Sequence, residues 1–143
     1  MADSTAPAHA RRELVDGLVQ LSFAVQAVLS EVATAQNLSV PQLRLLGVLR
    51  DRRPGMLELA NRFGVDKSSM TGLVDRAERR GLVRRQPGEH DKRSVQVSIT
   101  SMGSNLVNDV EATIYRRVSS LLERLSTKDQ ATLEALVVRL VVP

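Results

Sequence analysis

ELANRFGVDKSSMTGLVDRAERRGLV, residues 58–83, decides the fold. Leu59, Ala60 and Phe63 recur at helical spacing and predict a short helix over about 57–63. It stops at Gly64, the residue type that most readily takes the left-handed conformation closing a helix. Val65 bridges to Asp66, whose carboxylate can cap a new first turn. The next helix is expected over about 67–80, with Met70, Leu73, Val74 and Ala77 on its apolar side, and Gly81 ends it. Two short helices joined by a tight glycine turn make a helix-turn-helix. In the N-terminal half of the second helix, Lys67, Ser68, Ser69, Thr71 and Gly72 are small or polar and can approach a base edge closely.

Beyond Gly81 the pattern changes. Residues 82–86 read as a short strand and residues 87–93 as a polar loop. Val95-Gln96-Val97-Ser98-Ile99 alternates as a half-buried strand does. Together they form a hairpin with a basic tip, a wing. Upstream, Ser39-Val40-Pro41-Gln42 is a helix start: Ser39 can cap Gln42, Gln42 can reach back, and Pro41 needs no N–H partner in a first turn. That helix carries Leu43, Leu45, Leu46 and Leu49 and ends before Pro54-Gly55. A much longer helix is expected over about 11–36, with Leu14, Leu18, Leu21, Val25, Val28 and Val32 in one stripe. Another is expected over about 101–125, striped by Leu106, Val110, Ile114, Val118, Leu121 and Leu125. A capping box at Ser126 to Asp129 opens a last helix with Leu133, Leu136, Val137 and Leu140 apolar. Two long striped helices exceed what so few other residues can cover, so they are expected to meet a second copy of the chain.

The chain has 143 residues, no Cys, two His and three aromatic side chains, Phe23, Phe63 and Tyr115. Its length fits one domain, and its core must be aliphatic. The missing Cys excludes a disulfide scaffold and a thiol sensor. His9 and His90 lack ligand spacing, so no metal and no cofactor are expected. No phosphate-binding glycine loop and no paired polar residues in an apolar setting point to an enzyme. No run of about twenty apolar residues is seen, so no membrane span is expected; a cytoplasmic protein is the default. The formal charge is +4, and residues 44–93 hold thirteen basic against seven acidic side chains, leaving seven against nine elsewhere. A positive segment in a mildly acidic frame suits a nucleic-acid face.

Glu58-Leu59-Ala60, Phe63-Gly64-Val65, Ser68 through Arg80, Gly81-Leu82-Val83, the wing's Asp91-Lys92-Arg93, then Ser98-Ile99-Thr100 and Gly103 resemble the MarR family of bacterial transcription regulators. The resemblance runs from about residue 11 to 141. It implies homodimers with intertwined terminal helices, palindromic double-stranded operator DNA, and one recognition helix per half-site with the wing in the adjacent minor groove. It further implies a repressor released by a small aromatic or lipophilic effector. Three positions depart from the family: Gly72 stands where many relatives carry Arg, Leu57 where a polar cap is usual, and Leu43 at a site often aromatic. Gly72 means that no operator sequence can be borrowed.

The expected fold is therefore mainly α with a small β-hairpin wing, a winged helix-turn-helix with long N- and C-terminal dimerisation helices. Residues 1–10 form a flexible tail, 11–36 and 101–143 the helical dimerisation region, and 37–100 the DNA-binding domain. Lys67, Ser68, Ser69, Thr71 and Arg76 are the recognition-helix candidates. Arg76 can reach phosphate or pair with a neighbouring acid. Asp91, Lys92 and Arg93 are the wing candidates: Arg93 suits a narrow electronegative groove, Asp91 orients it, and Lys92 meets phosphate. Arg52 and Arg53 are further phosphate candidates. Arg79, Arg80, Arg84 and Arg85 are expected to be solvated or paired within the chain. An effector pocket would draw on Leu21, Val25, Leu43, Leu46, Met56 and Met70, all six also ordinary core positions. The alternatives are a DNA-binding regulator without an effector, constitutive or activating, and a winged-helix protein-interaction module. The basic wing and polar reading helix speak against the second.

Overall fold

The computed structural model describes residues 6–141. Their order is α1 (Ala6–Ala35), α2 (Val40–Leu49), α3 (Met56–Phe63), α4 (Lys67–Arg79), β1 (Val83–Pro87), β2 (Val95–Ile99), α5 (Ser101–Leu122) and α6 (Thr127–Val141). This is the mainly α fold with a hairpin wing that the sequence predicts.

Three boundaries or properties differ from expectation. Helix α1 starts at Ala6, so residues 6–10 are helical rather than tail. Pro7 does not break it, because a first-turn residue needs no N–H partner. The rest of the expected tail, residues 1–5, lies outside the described residues. Helix α5 stops at Leu122, short of Leu125, and Gln130 Nε2 donates to the carbonyls of both Leu122 and Leu125 at 3.1 Å. Helix α1 is also long and apolar enough to cross a membrane by length and composition, with mean hydropathy 1.4 over its best window within His9–Ala35. Uninterrupted apolar runs understate it, because alanines and valines lie on both faces. An amphipathic helix with an uncovered apolar side passes the same test.

The described residues fall into two compact units, one spanning Leu29–Ala112 and one formed by the residues before and after it. The central unit has a dense aliphatic core. Leu45, Leu46, Leu49, Leu59, Met70, Val74, Val97, Val107 and Val110 are essentially sealed from solvent. Val107, outside the expected stripe, is buried more fully than Leu106. Helix α2 starts as expected: Ser39 Oγ accepts from Gln42 N, and Gln42 Oε1 accepts from Ser39 N at 2.9 Å.

Helices α1, α3 and α4 all end in the same hydrogen-bonded motif. A left-handed residue follows each helix, and the residue after it donates back to a carbonyl five positions earlier. The donors are Leu38 to Ala33, Val65 to Ala60 and Leu82 to Ala77, at 2.8–3.1 Å. Asn37, Gly64 and Gly81 take the positive φ, at 54°, 64° and 70°. Gly64 thereby sets the turn between α3 and α4.

Strands β1 and β2 pair antiparallel in the register Val83↔Ile99 through Pro87↔Val95. The wing is seated by Val97 N, which donates to Pro54 O at 2.9 Å. At its base, Thr100 Oγ1 donates to Gly81 O at 2.6 Å and accepts from Gly103 N at 3.1 Å. A Cβ on Gly103 would lie 2.1 Å from the Leu82 carbonyl oxygen. The trailing Thr-x-x-Gly is therefore a close-packed corner between hairpin and α5.

In the other unit, α6 is capped by Ser126, whose Oγ accepts from Asp129 N and donates to Asp129 Oδ2. Leu21 and Val25 line an apolar cleft of about 270 Å³ with Val118, Leu121, Leu133 and Val137. The remaining stripe is uncovered: Leu14, Leu18, Leu136, Val138 and Leu140 are exposed, Leu140 by 74%.

Candidate nucleic-acid interface

Asp66 builds the start of the reading helix. Its carboxylate accepts from Ser68 Oγ at 2.6 Å, Ser69 N at 2.8 Å and Ser69 Oγ at 2.8 Å. The Ser68 hydroxyl, with the Ser69 N–H and hydroxyl, holds the Asp66 carboxyl well below the usual carboxylate range. Thr71 Oγ1 donates to Lys67 O at 2.8 Å. The three hydroxyls expected to face DNA thus place their protons within their own helix, although Ser68 and Ser69 are exposed and Thr71 half-exposed.

The cations divide into two groups. Several are committed inside the central unit. Arg44 lies 4.4 Å over the Phe63 ring and donates to Arg62 O. Arg50 binds Asp51 and Glu111. Arg53 binds Glu89 at 2.8 Å. Arg80 donates to Asn37 O at 2.5 Å and Gln36 O at 3.0 Å, adding two charged bonds at the end of α1. Arg84 Nε donates to Ser98 Oγ. Arg85 binds Asp75 at 2.6 Å and Glu78 at 2.5 Å. Partial burial disfavours the Arg85 cation, and those two carboxylates more than offset it, leaving its pKa above the ordinary value.

The second group is unpaired. Among the described residues, no hydrogen bond or ion pair engages the side-chain nitrogens of Lys67, Arg76, Lys92 or Arg93, and all four are exposed. Arg52 likewise has no such bond. Asp75 and Glu78 were the acids available to Arg76, and Arg85 holds both.

Asp91 shapes the wing tip through the backbone. Its Oδ1 accepts from the Arg93 N–H at 2.9 Å, and its carbonyl accepts from Ser94 N and Oγ. The carboxylate orients the chain at Arg93 and leaves the guanidinium free. The start of α4 and the wing base share one concave surface of about 560 Å³, where Lys67 and Thr71 face Ser94 and Val95. Arg52 and Arg53 line a separate polar cleft of about 480 Å³ with Arg84, Glu89, Gln96 and Ser98.

The six residues expected to form an effector pocket are distributed differently. Leu43, Leu46 and Met70 are buried in the central core. Met56 is half-buried at the concave surface beside Lys67. Leu21 and Val25 line the apolar cleft of the other unit. No group of three or more His, Asp or Glu is placed to hold a metal among the described residues.

Sequence reasoning missed Asp66 as the anchor of both serines, and the Asp75–Glu78–Arg85 cluster that fastens α4 to β1. The first has a local signal, an acid two and three residues before two serines. The second has none, because its partners meet only across the turn at Gly81.

A helix-turn-helix, a seated hairpin wing and unpaired cations along both define a winged-helix DNA-binding regulator. The MarR family model matches residues 36–94. The regulator PecS of Dickeya dadantii is 28% identical over 130 residues, covering 88% of this chain and 78% of its own length. A MarR mutant from E. coli complexed with operator DNA superposes with TM-score 0.73 at 25% identity, covering 92% and 94% of the two chains. NadR in complex with 4-hydroxyphenylacetate superposes with TM-score 0.72 at 26% identity, covering 87% and 89%. Over residues 36–94 in sequence, and over most of its length in fold, the chain is similar to the MarR family of winged helix-turn-helix transcription regulators, and it is a DNA-binding regulator.

Proposed function

We propose that the protein is a homodimeric transcriptional repressor, acting in the cytoplasm, that binds palindromic double-stranded operator DNA and is released by a small lipophilic or aromatic effector. The observation that carries the DNA reading is the division of cations. Among the described residues the side-chain nitrogens of Lys67, Arg76, Lys92 and Arg93 form no hydrogen bond or ion pair, while Arg50, Arg53 and Arg85 of the same unit are held by carboxylates. Long cationic side chains without an internal partner suit the phosphates and groove edges of a duplex. Arg93 enters the minor groove, Lys92 and Arg52 meet phosphate, and Asp91 fixes the turn that presents Arg93. Arg53 reaches phosphate only by releasing Glu89. Residues 37–100 are the DNA-binding domain, and the regions 11–36 and 101–143 dimerise through their exposed leucine and valine stripes. Leu21 and Val25, in an apolar cleft, support the effector reading better than the buried Leu43, Leu46 and Met70 do. NadR, whose structure holds an aromatic acid, lends it further support.

The test is operator affinity. Arg93→Ala is expected to weaken binding about tenfold or more, the scale of one good charged contact, with the dimer intact in sedimentation. Wild-type affinity should fall steeply as salt rises. Unchanged affinity of the variant at physiological salt overturns the wing assignment, and a flat salt dependence overturns the reading of the basic segment as a DNA face.

A further inference from the structure

We infer that Arg76, folded back over Gly72, is the residue that reads a guanine in the operator half-site, and that a long side chain at position 72 would displace it. The inference rests on the DNA-binding reading above and goes beyond it by assigning a base and a pair of residues.

Gly72 lies on the side of α4 opposite Met70, Leu73, Val74 and Ala77, which are all buried. It is therefore on the outward face, where a missing side chain lets the backbone come close to a duplex. The space is not empty. A Cβ on Gly72 would lie 3.4 Å from Arg76 Nη1. Helical side chains point toward the N-terminus of their helix, and here the guanidinium four residues later lies across the glycine. Gly72→Arg would contest that volume.

Two further facts single out Arg76. Its candidate acids are occupied, because Arg85 binds Asp75 at 2.6 Å and Glu78 at 2.5 Å. The hydroxyls around it are occupied as donors: Ser68 and Ser69 donate to Asp66, and Thr71 donates to Lys67 O. In the N-terminal and middle turns of α4, the side-chain donors left over belong to Lys67 and Arg76. Lys67 is the first helical residue, at the edge of the face. Arg76 projects onto its centre with a planar fork, and the fork matches the O6 and N7 acceptors of guanine in the major groove.

The experiment is selection of duplexes from a randomised pool by the full-length protein, followed by titration of the selected site. The wild type should enrich one fixed guanine per half-site. Arg76→Ala should retain the rest of the site, lose that preference, and bind the wild-type site about 5- to 150-fold more weakly, the range a bidentate base contact gives. Replacing that G·C pair should weaken the wild type and leave Arg76→Ala nearly indifferent. Gly72→Arg should move or erase the same preference. Unchanged melting and sedimentation of the variants show that the fold is kept. Equal weakening on every sequence, with the salt slope reduced by about one, makes Arg76 a phosphate contact and overturns the inference; so does unchanged affinity, or a Gly72→Arg protein that keeps the wild-type site. A wild type that enriches no duplex is a different failure, and it removes the proposed function itself.

Discussion

The central unit and the unit built from the chain's two ends use the same aliphatic residues to different effect. In the first, Leu45, Leu46 and Leu59 have no exposed surface. In the second, Leu14 is 64% exposed and no residue of α6 is buried. One is a finished core and the other is half of one. A stripe of leucines is thus not by itself evidence of a core. It shows that a surface must be covered, and the chain's own folding covers only the central one.

The comparison breaks most completely if the terminal stripes are charged. Leu18→Asp with Leu136→Asp is expected to abolish the dimer at micromolar concentration by analytical ultracentrifugation, while the far-ultraviolet signature of the central helices persists. A double variant that sediments like the wild type would mean that the stripes meet no second copy. Next in size is a cavity in the finished core. Leu59→Ala should cost about 2–5 kcal/mol, as deletion of a sealed leucine does, read from urea denaturation of the full chain. A cost no larger than that of Leu14→Ala would erase the distinction between the units. The smallest effect sharpens the picture of the reading helix. The Asp66 carboxyl is held below its ordinary value, so its cap contributes fully above about pH 4 and fades as pH falls through the lower folded value. The melting difference between wild type and Asp66→Ala should be constant from pH 5 to 7 and close under stronger acid. A difference that persists unchanged at pH 2 would show that the charge on Asp66 is not what holds Ser68 and Ser69.

The sequence exposed most of the fold because its signals are local. Gly64, Gly81 and the Ser39–Gln42 box mark helix ends within a few residues of themselves, and β2 alternates within its own five positions. The start of α1 was obscured by Pro7, which reads equally as a breaker or a first-turn residue. The end of α5 depends on Gln130, from the next helix. The candidate site divides in the same way. That Lys67, Arg76 and Arg93 are cationic is written in the chain. That Arg76 and Arg93 are unpaired, while Arg53 and Arg85 are bound to Glu89, Asp75 and Glu78, is decided by tertiary neighbours 7 to 36 positions apart. Charge counts over residues 44–93 cannot separate those groups.

The corner at Gly103 has one more consequence. The Leu82 carbonyl fills the volume a side chain would take, and Thr100 bolts the same carbonyl pair to the first turn of α5. The first turn of α5 and the foot of the hairpin therefore share one close-packed joint, and Arg93 stands at the far end of the hairpin that leaves it.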